Sequence, residues 1–583
     1  MRASLKRYLP AIACAMTPLF CYFLIRPYAE IGIGDDWSYV KSAQVLAQTG
    51  HIVYNGWATA MLGWQFYAGA LFIQLFGFSF TAIRFSTVIE AAATAYLLQR
   101  TCVLAGLNSW NATLATLTLV LSPLYLPLAY TFKSDVSGVL CILACLYMCL
   151  RALQTQSERS AMAWICIAAL VNAVGGTVRQ IHWLGLLVMV PCTLWLLRKS
   201  RRVLVAGCIS WFIGVVFVAA AMHWFARQPY TIPVSLFPIR IDWKAPILLG
   251  DIGVRGAGQL ALLALPVLSM FSGSLRLWNR RAGAVFGAGF LCIAVLGIAL
   301  IRARKLNLML APFLLDSMTD SSSKRLSAIA ALGHLGRGRD GLGVLLTGAV
   351  VLGILCLAAC VFAGPHRRTT FQQEANPISW PKLGILLGSF SAAYMVILAL
   401  TELRNGYFFD RYLLPLLPIL LLVLTRYYQE RVKAKLPWAC VLLMVVFGAF
   451  SVAATHDTFA LYRGYATAID EIHSSGAPAT AIAGPWEFEG WTQIEKVGYM
   501  NDSRIRIPPG AYVPQPLRAH QLNCSVDSST LDEVPAIKPA YVVTSNPGDC
   551  GGQVAFPPVM YSTWIAPRTN WIYDLKLPPG FPR

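Results

Sequence analysis

Runs of about 20 consecutive apolar residues recur through residue 455 of this chain, and a run of that length is best accommodated as a helix crossing a bilayer. They fall near 9 to 27, 80 to 99, 110 to 130, 135 to 153, 161 to 177, 180 to 197, 203 to 225, 257 to 273, 283 to 301, 342 to 363, 382 to 401, 411 to 428 and 437 to 455. That predicts an α-helical polytopic protein with about thirteen transmembrane helices. With 57% hydrophobic and 13% charged residues, against roughly 25% charged in a soluble domain, the composition excludes an ordinary soluble fold. The basic start MRASLKRY leads into an apolar stretch without a clean small-residue cleavage site, so the first run reads as a retained span.

The segment 61 to 76, MLGWQFYAGALFIQLF, is short and interrupted by Gly63, Gln65 and Gly69. If it lies along the interface, the clusters Arg2/Lys6/Arg7, Arg151/Arg159, Arg198 to Arg202, Arg276/Arg280/Arg281, Arg367/Arg368 and Arg426 to Lys435 share one side, the cytoplasm. A first loop over 28 to 79, Asp135, Arg179, the loops 226 to 256 and 302 to 341, the turn 402 to 410 and everything after 455 then lie outside. The loop 302 to 341 is basic and external, against the orientation rule, which marks it as functional.

Residues 1 to 455 carry 38 Lys and Arg against 15 Asp and Glu, whereas residues 456 to 583 carry 9 against 12. The net positive charge therefore belongs to short loops beside the membrane, where lipid headgroups and orientation account for it, and nucleic acid is excluded as a partner. Residues 456 to 583, rich in Pro and Gly, read as a small external α/β domain with helix-like residues 462 to 473 and strand-like runs 479 to 483 and 541 to 544. Cys524 and Cys550 are alone there, as expected of one disulfide in an oxidising compartment, the alternative being two free thiols. The other cysteines lie in apolar runs without metal-ligand spacing, so no metal site is assigned.

The acidic pair Asp35-Asp36, in IGIGDDWSYV, follows the first span and opens a helix-like segment, where it could cap the helix or supply a general base. Asp135 stands at the external edge of a span, either as a functional carboxylate or as a partner of Lys133. Arg179 and Gln180 could hold a phosphate or anchor to the interface; Arg411 and Tyr412 open a span broken by Pro415 and Pro418. No GK[ST] phosphate loop, HExxH or GxSxG is present.

These features resemble the GT-C superfamily of polyprenyl-phosphate-sugar-dependent glycosyltransferases, of the protein O-mannosyltransferase and lipid A aminoarabinose transferase type. The acidic pair followed by Tyr39, Ala43, Leu46, Gly50 and Tyr54 is similar to the family's first external loop. Next come LFGFSFTAIRFSTVIEA with Gly77, Ser79 and Arg84, then Ser122-Pro123 ahead of Asp135, and Arg411-Tyr412 with Pro415 and Pro418. The chain departs from the family where Pro-Pro would open the aromatic segment; here it reads ATAMLGWQF.

The resemblance implies a GT-C-like fold with interfacial helices in the first external loop, and inverting transfer of a sugar from a polyprenyl-phosphate carrier to a lipid, glycan or protein hydroxyl. It implies Asp35 as base, with Asp36 or Asp135 orienting the acceptor or holding the base. Arg411, Arg179, Arg302, Arg304 and Lys305 become candidates for the donor phosphate, and Tyr39, Tyr54, Gln180 and Tyr412 for acceptor or sugar. The sequence requires no cofactor and leaves a divalent metal open. The expected place is a bacterial inner membrane, with the C-terminal domain periplasmic or extracellular. The alternative is a transporter or lipid flippase, which would set ionisable groups near the membrane midplane.

Overall fold

A computed structural model describes residues 2–57, 60–232, 245–272, 280–302, 337–362, 377–405, 409–432, 437–516, 524, 528–565 and 568–578. Among these, seven helices are long and apolar enough to cross a membrane: Arg7–Ile25, Ser134–Gln154, Glu158–Val178, Arg201–Phe225, Leu345–Phe362, Trp380–Thr401 and Trp438–Ser474. Ala245–Leu263 and Leu265–Ser272, bent by 72°, make an eighth if they form one span. The protein is thus a multi-pass helical membrane protein.

Other apolar runs are helical with interruptions. Phe80–Leu104 has 25 residues but carries Arg84, Glu90 and Arg100. The run 110 to 130 splits into Ser109–Val120 and the single turn Tyr125–Leu128, where Pro123 and Pro127 each remove a backbone donor. The run 180 to 197 begins as a 3-10 turn, loosens to a π-turn at Gly185–Met189 and ends as Val190–Leu196. Arg302 closes the helix Arg280–Arg302, Arg337 opens the helix Arg337–Phe362, and Arg304, Lys305 and the rest of the basic loop lie outside the described residues.

Residues 61 to 76 do not carry the chain across. The helix Gly63–Phe76 has 14 residues, about 21 Å at 1.5 Å per residue, short of a bilayer core of about 30 Å. The Glu30 carboxylate, just after the first span, accepts from the Ser79 hydroxyl and the Phe80 backbone N–H at 2.8 Å each, and from Thr81 N–H at 3.2 Å. The chain therefore leaves the bundle and re-enters it at one end, with an anion set on the free N–H groups of the helix Phe80–Leu104.

The helix Trp438–Ser474 has 37 residues, about 55 Å of length, so it projects well beyond a bilayer core. Residues 455 and 456 are consecutive residues of this one rod. Its emergent end packs on a five-stranded sheet: β1 (Ile482–Ala483) runs parallel to β2 (Tyr541–Thr544). β2, β3 (Gln553–Val554) and β4 (Val559–Thr563) all pair antiparallel with β5 (Arg568–Lys576). Asp457 joins helix to sheet, accepting from Trp564 N–H at 2.7 Å and Ile565 N–H at 3.0 Å, while His456 stacks on Trp564. A disulfide joins Cys524 and Cys550.

Candidate active site

The acidic pair splits at the start of a helix. Gly34, at φ 57°, turns the chain left-handed, which glycine adopts readily, and Asp36 opens the helix Asp36–Thr49. Asp36 is fully buried and committed to Arg84, whose Nε lies 2.7 Å from its Oδ2. The same guanidinium donates to the carbonyls of Ala29 at 2.7 Å and Ile31 at 2.6 Å, and Ile33 N–H donates to Asp36 Oδ1 at 2.7 Å. The hydrogen bonds of this pair turn inward, onto each other and onto the backbone of the loop.

Asp35 keeps 28% of its side chain exposed and accepts from Arg411 Nη2 and Trp57 Nε1, each at 3.1 Å. Asp135, in the first turn of Ser134–Gln154, takes Arg179 Nη1 at 3.3 Å. Arg179 lies over the Tyr412 ring at 4.7 Å, beside Arg411, and the Tyr394 hydroxyl donates to Tyr412 O at 2.9 Å. Arg411 interacts electrostatically with both Asp135 and Asp35. Four segments distant in sequence thus bring two carboxylates and two guanidiniums to one end of the bundle.

Burial alone would raise the Asp35 carboxyl. The charges of Arg411 and Lys133 and the Trp57 hydrogen bond outweigh it and hold the group below the usual carboxylate range. Lys133 is itself buried, which pushes its ammonium down against the opposing pull of Asp35. Tyr39 faces the same charges, and burial, then Asp35, pushes its phenol up. Asp35 is therefore an ionised acceptor inside a ring of cations, and an anion entering here would compete with it for Arg411.

Tyr39 and Tyr412 lie with the cluster, and Gln180 follows Arg179 in a 3-10 turn. Tyr54 does not join them: it is 2% exposed, gives its hydroxyl to Met61 O at 3.0 Å, and packs against Phe225. Arg302, Arg304 and Lys305 have no described side chains. Among the described residues, the group that could hold an ion is Cys524, Asp549 and Cys550, whose sulfurs are joined to each other.

Three contributors escaped the sequence reading as site residues: Lys133, Trp57 and Glu487. Lys133 had a signal, two residues before Asp135, and Trp57 ends the aromatic stretch YNGW; Glu487 is 453 residues from its partner Gly34 and had none.

Residues 64–225 match the profile of the dolichyl-phosphate-mannose-protein mannosyltransferase family. No curated protein matches the chain. The fold is similar to ArnT from Cupriavidus metallidurans in its apo state, at 15% identity over 83% of this chain and 82% of that one, TM-score 0.39. ArnT bound to undecaprenyl phosphate is similar at 12% identity over 97% of both chains, TM-score 0.40. The oligosaccharyltransferase AglB from Archaeoglobus fulgidus, in complex with an inhibitory peptide and a dolichol-phosphate, is similar at 13% identity over 93% of this chain and 70% of that one, TM-score 0.36. The stretch 64–225 that is similar to this mannosyltransferase family includes Asp135 and Arg179.

Proposed function

We propose that the protein transfers a sugar, with inversion, from a polyprenyl-phosphate carrier to a hydroxyl of a lipid, glycan or protein at the outer face of a bacterial inner membrane. The observation that carries this reading is the meeting of Asp35, Asp135, Arg179 and Arg411 at one end of the bundle. In this reading residues 1–455 form the transferase domain and residues 456–583 a periplasmic domain.

Asp35 takes the proton from the acceptor hydroxyl as the acceptor oxygen bonds to the anomeric carbon. The bond from that carbon to the phosphate oxygen breaks, and its electron pair leaves with the lipid phosphate. A phosphate leaves without prior protonation, so one base suffices. Charge gathering on it needs fixed cations, each worth up to about 3 kcal/mol in a dry site. Arg411 and Arg179 supply them here, with Arg302, Arg304 and Lys305 as further candidates from the basic loop. As Arg411 turns to the phosphate, Asp35 is released to act on the acceptor. Asp135 orients Arg179, Asp36 fixes the loop, and Tyr39, Tyr412 and Gln180 face sugar or acceptor.

The transporter or flippase reading is not favoured, because these ionisable groups gather at one end of the spans, whereas transport sites lie near the midplane. Mass spectrometry of envelope lipids, glycans and exported proteins tests the proposal in a deletion strain. Wild-type protein is expected to restore a lost sugar modification and Asp35→Asn is not; restoration by Asp35→Asn overturns the proposal.

A further inference from the structure

The helix Trp486–Val497 of the C-terminal part sits directly on the loop that carries Asp35. A Cβ added at Gly32 would lie 2.6 Å from Trp37 Cβ and 3.0 Å from Glu487 Cβ, and one at Gly490 would lie 2.6 Å from the Trp37 ring. The backbones are therefore as close as side chains permit. Trp486 continues the contact to the site, its ring 5.2 Å from that of Trp57, the residue that donates to Asp35.

At the centre of this contact Glu487, 8% exposed, sets one oxygen where two donors converge: Gly34 N–H at 2.8 Å and the Tyr462 hydroxyl at 2.7 Å. Gly34 immediately precedes Asp35; its left-handed backbone suits glycine, and a Cβ there would meet the Lys133 ammonium, which would have to shift. Glu487 thus grips the peptide that aims the Asp35 carboxylate. Tyr462, on the emergent end of Trp438–Ser474, fixes Glu487 in turn.

We propose that Glu487 is a positioning residue of the transferase, holding Gly34 so that the Asp35 carboxylate meets the acceptor hydroxyl, and that the C-terminal part is thereby a working component of the active site. The proposal rests on Asp35 being the base. A shift of about 1 Å in a reacting group can cost about a hundredfold in rate, so loss of the grip lowers turnover while leaving the cations that hold the donor in place.

Purified full-length variants, matched for folded protein, test this in a transfer assay with a polyprenyl-phosphate-linked sugar. Glu487→Gln keeps an oxygen for both donors and is expected to retain kcat within about threefold. Glu487→Met fills the space without an acceptor, and Glu487→Asp keeps the charge but falls short of Gly34. Both are expected to lose at least about tenfold in kcat with donor KM little changed. Wild-type kcat in Glu487→Met, or in Glu487→Asp should Glu487→Met not fold, overturns the proposal, as does a loss in Glu487→Gln equal to that in Glu487→Met. Asp35→Asn in the same assay separates the two readings. If it stays active the base assignment fails, whereas an inactive Asp35→Asn beside a fully active Glu487→Met sinks the positioning role alone.

Discussion

Asp35 and Asp36 are neighbours in the chain and opposites in the fold. Successive residues at the start of a helix point roughly 100° apart, so one carboxylate turns into the loop and the other towards the open end of the bundle. Asp36 is fully enclosed and shares one guanidinium with the carbonyls of Ala29 and Ile31. Asp35 is 28% exposed and held by groups that a substrate could displace. A buried charge pair bonded to backbone gives shape, while a half-open carboxylate among surplus cations can exchange partners and do chemistry. In the proposed function the pair is a structural clamp joined to the reacting base.

The largest effect should come from the clamp. Arg84→Gln leaves Asp36 buried without its cation and is expected to cost about 3–5 kcal/mol of stability, seen as loss of folded protein or a large fall in Tm in detergent. A normal Tm would show that the two carboxylates differ less than their burial indicates.

On the reactive side, Arg411→Gln should leave the fold intact and lower kcat by about a hundredfold or more, as loss of a fixed charge at a leaving group does. It should also shift the pH profile. Asp35 must be ionised to act, so activity is present above its pKa and lost as pH falls through it. With Arg411 in place that limb lies below the ordinary 3.8; without Arg411 it should move up. An unmoved limb would separate Asp35 from Arg411.

The contrast was partly legible in advance. The spans were readable because apolar runs of fixed length have few other fates, and Asp35, Asp135, Arg179 and Arg411 stood out as polar residues at the ends of such runs. The strand Tyr541–Thr544 was likewise visible as a short apolar run. Which member of the acidic pair faced inward was not legible, since it depends on Arg84 reaching across 48 residues to Asp36. Breaks in the runs 110 to 130 and 180 to 197 arise from local turns that average hydropathy does not register. The grip of Glu487 on Gly34 is purely tertiary.

A smaller effect concerns the C-terminal part, where burial, against a hydrogen bond from Gly484 and with repulsion from Glu487, pushes Glu489 up to about 8 from its ordinary 4.5. A carboxyl raised on folding favours the native state at low pH, and that advantage fades as pH rises from about 4.5 through about 8. Tm should therefore fall across this window, and Glu489→Gln should flatten the slope; an unchanged slope would place the pH sensitivity elsewhere.

The central claim is that the two adjacent carboxylates do different work, and turnover per folded molecule in Asp35→Asn and Asp36→Asn measures it most directly. Asp35→Asn should fold with a near-normal Tm and lose about 10²–10⁴ in kcat, the usual worth of a general base. Asp36→Asn should lose stability, and its folded fraction should keep most of its turnover. An active Asp35→Asn, or an Asp36→Asn that folds normally and is inactive, would contradict the account.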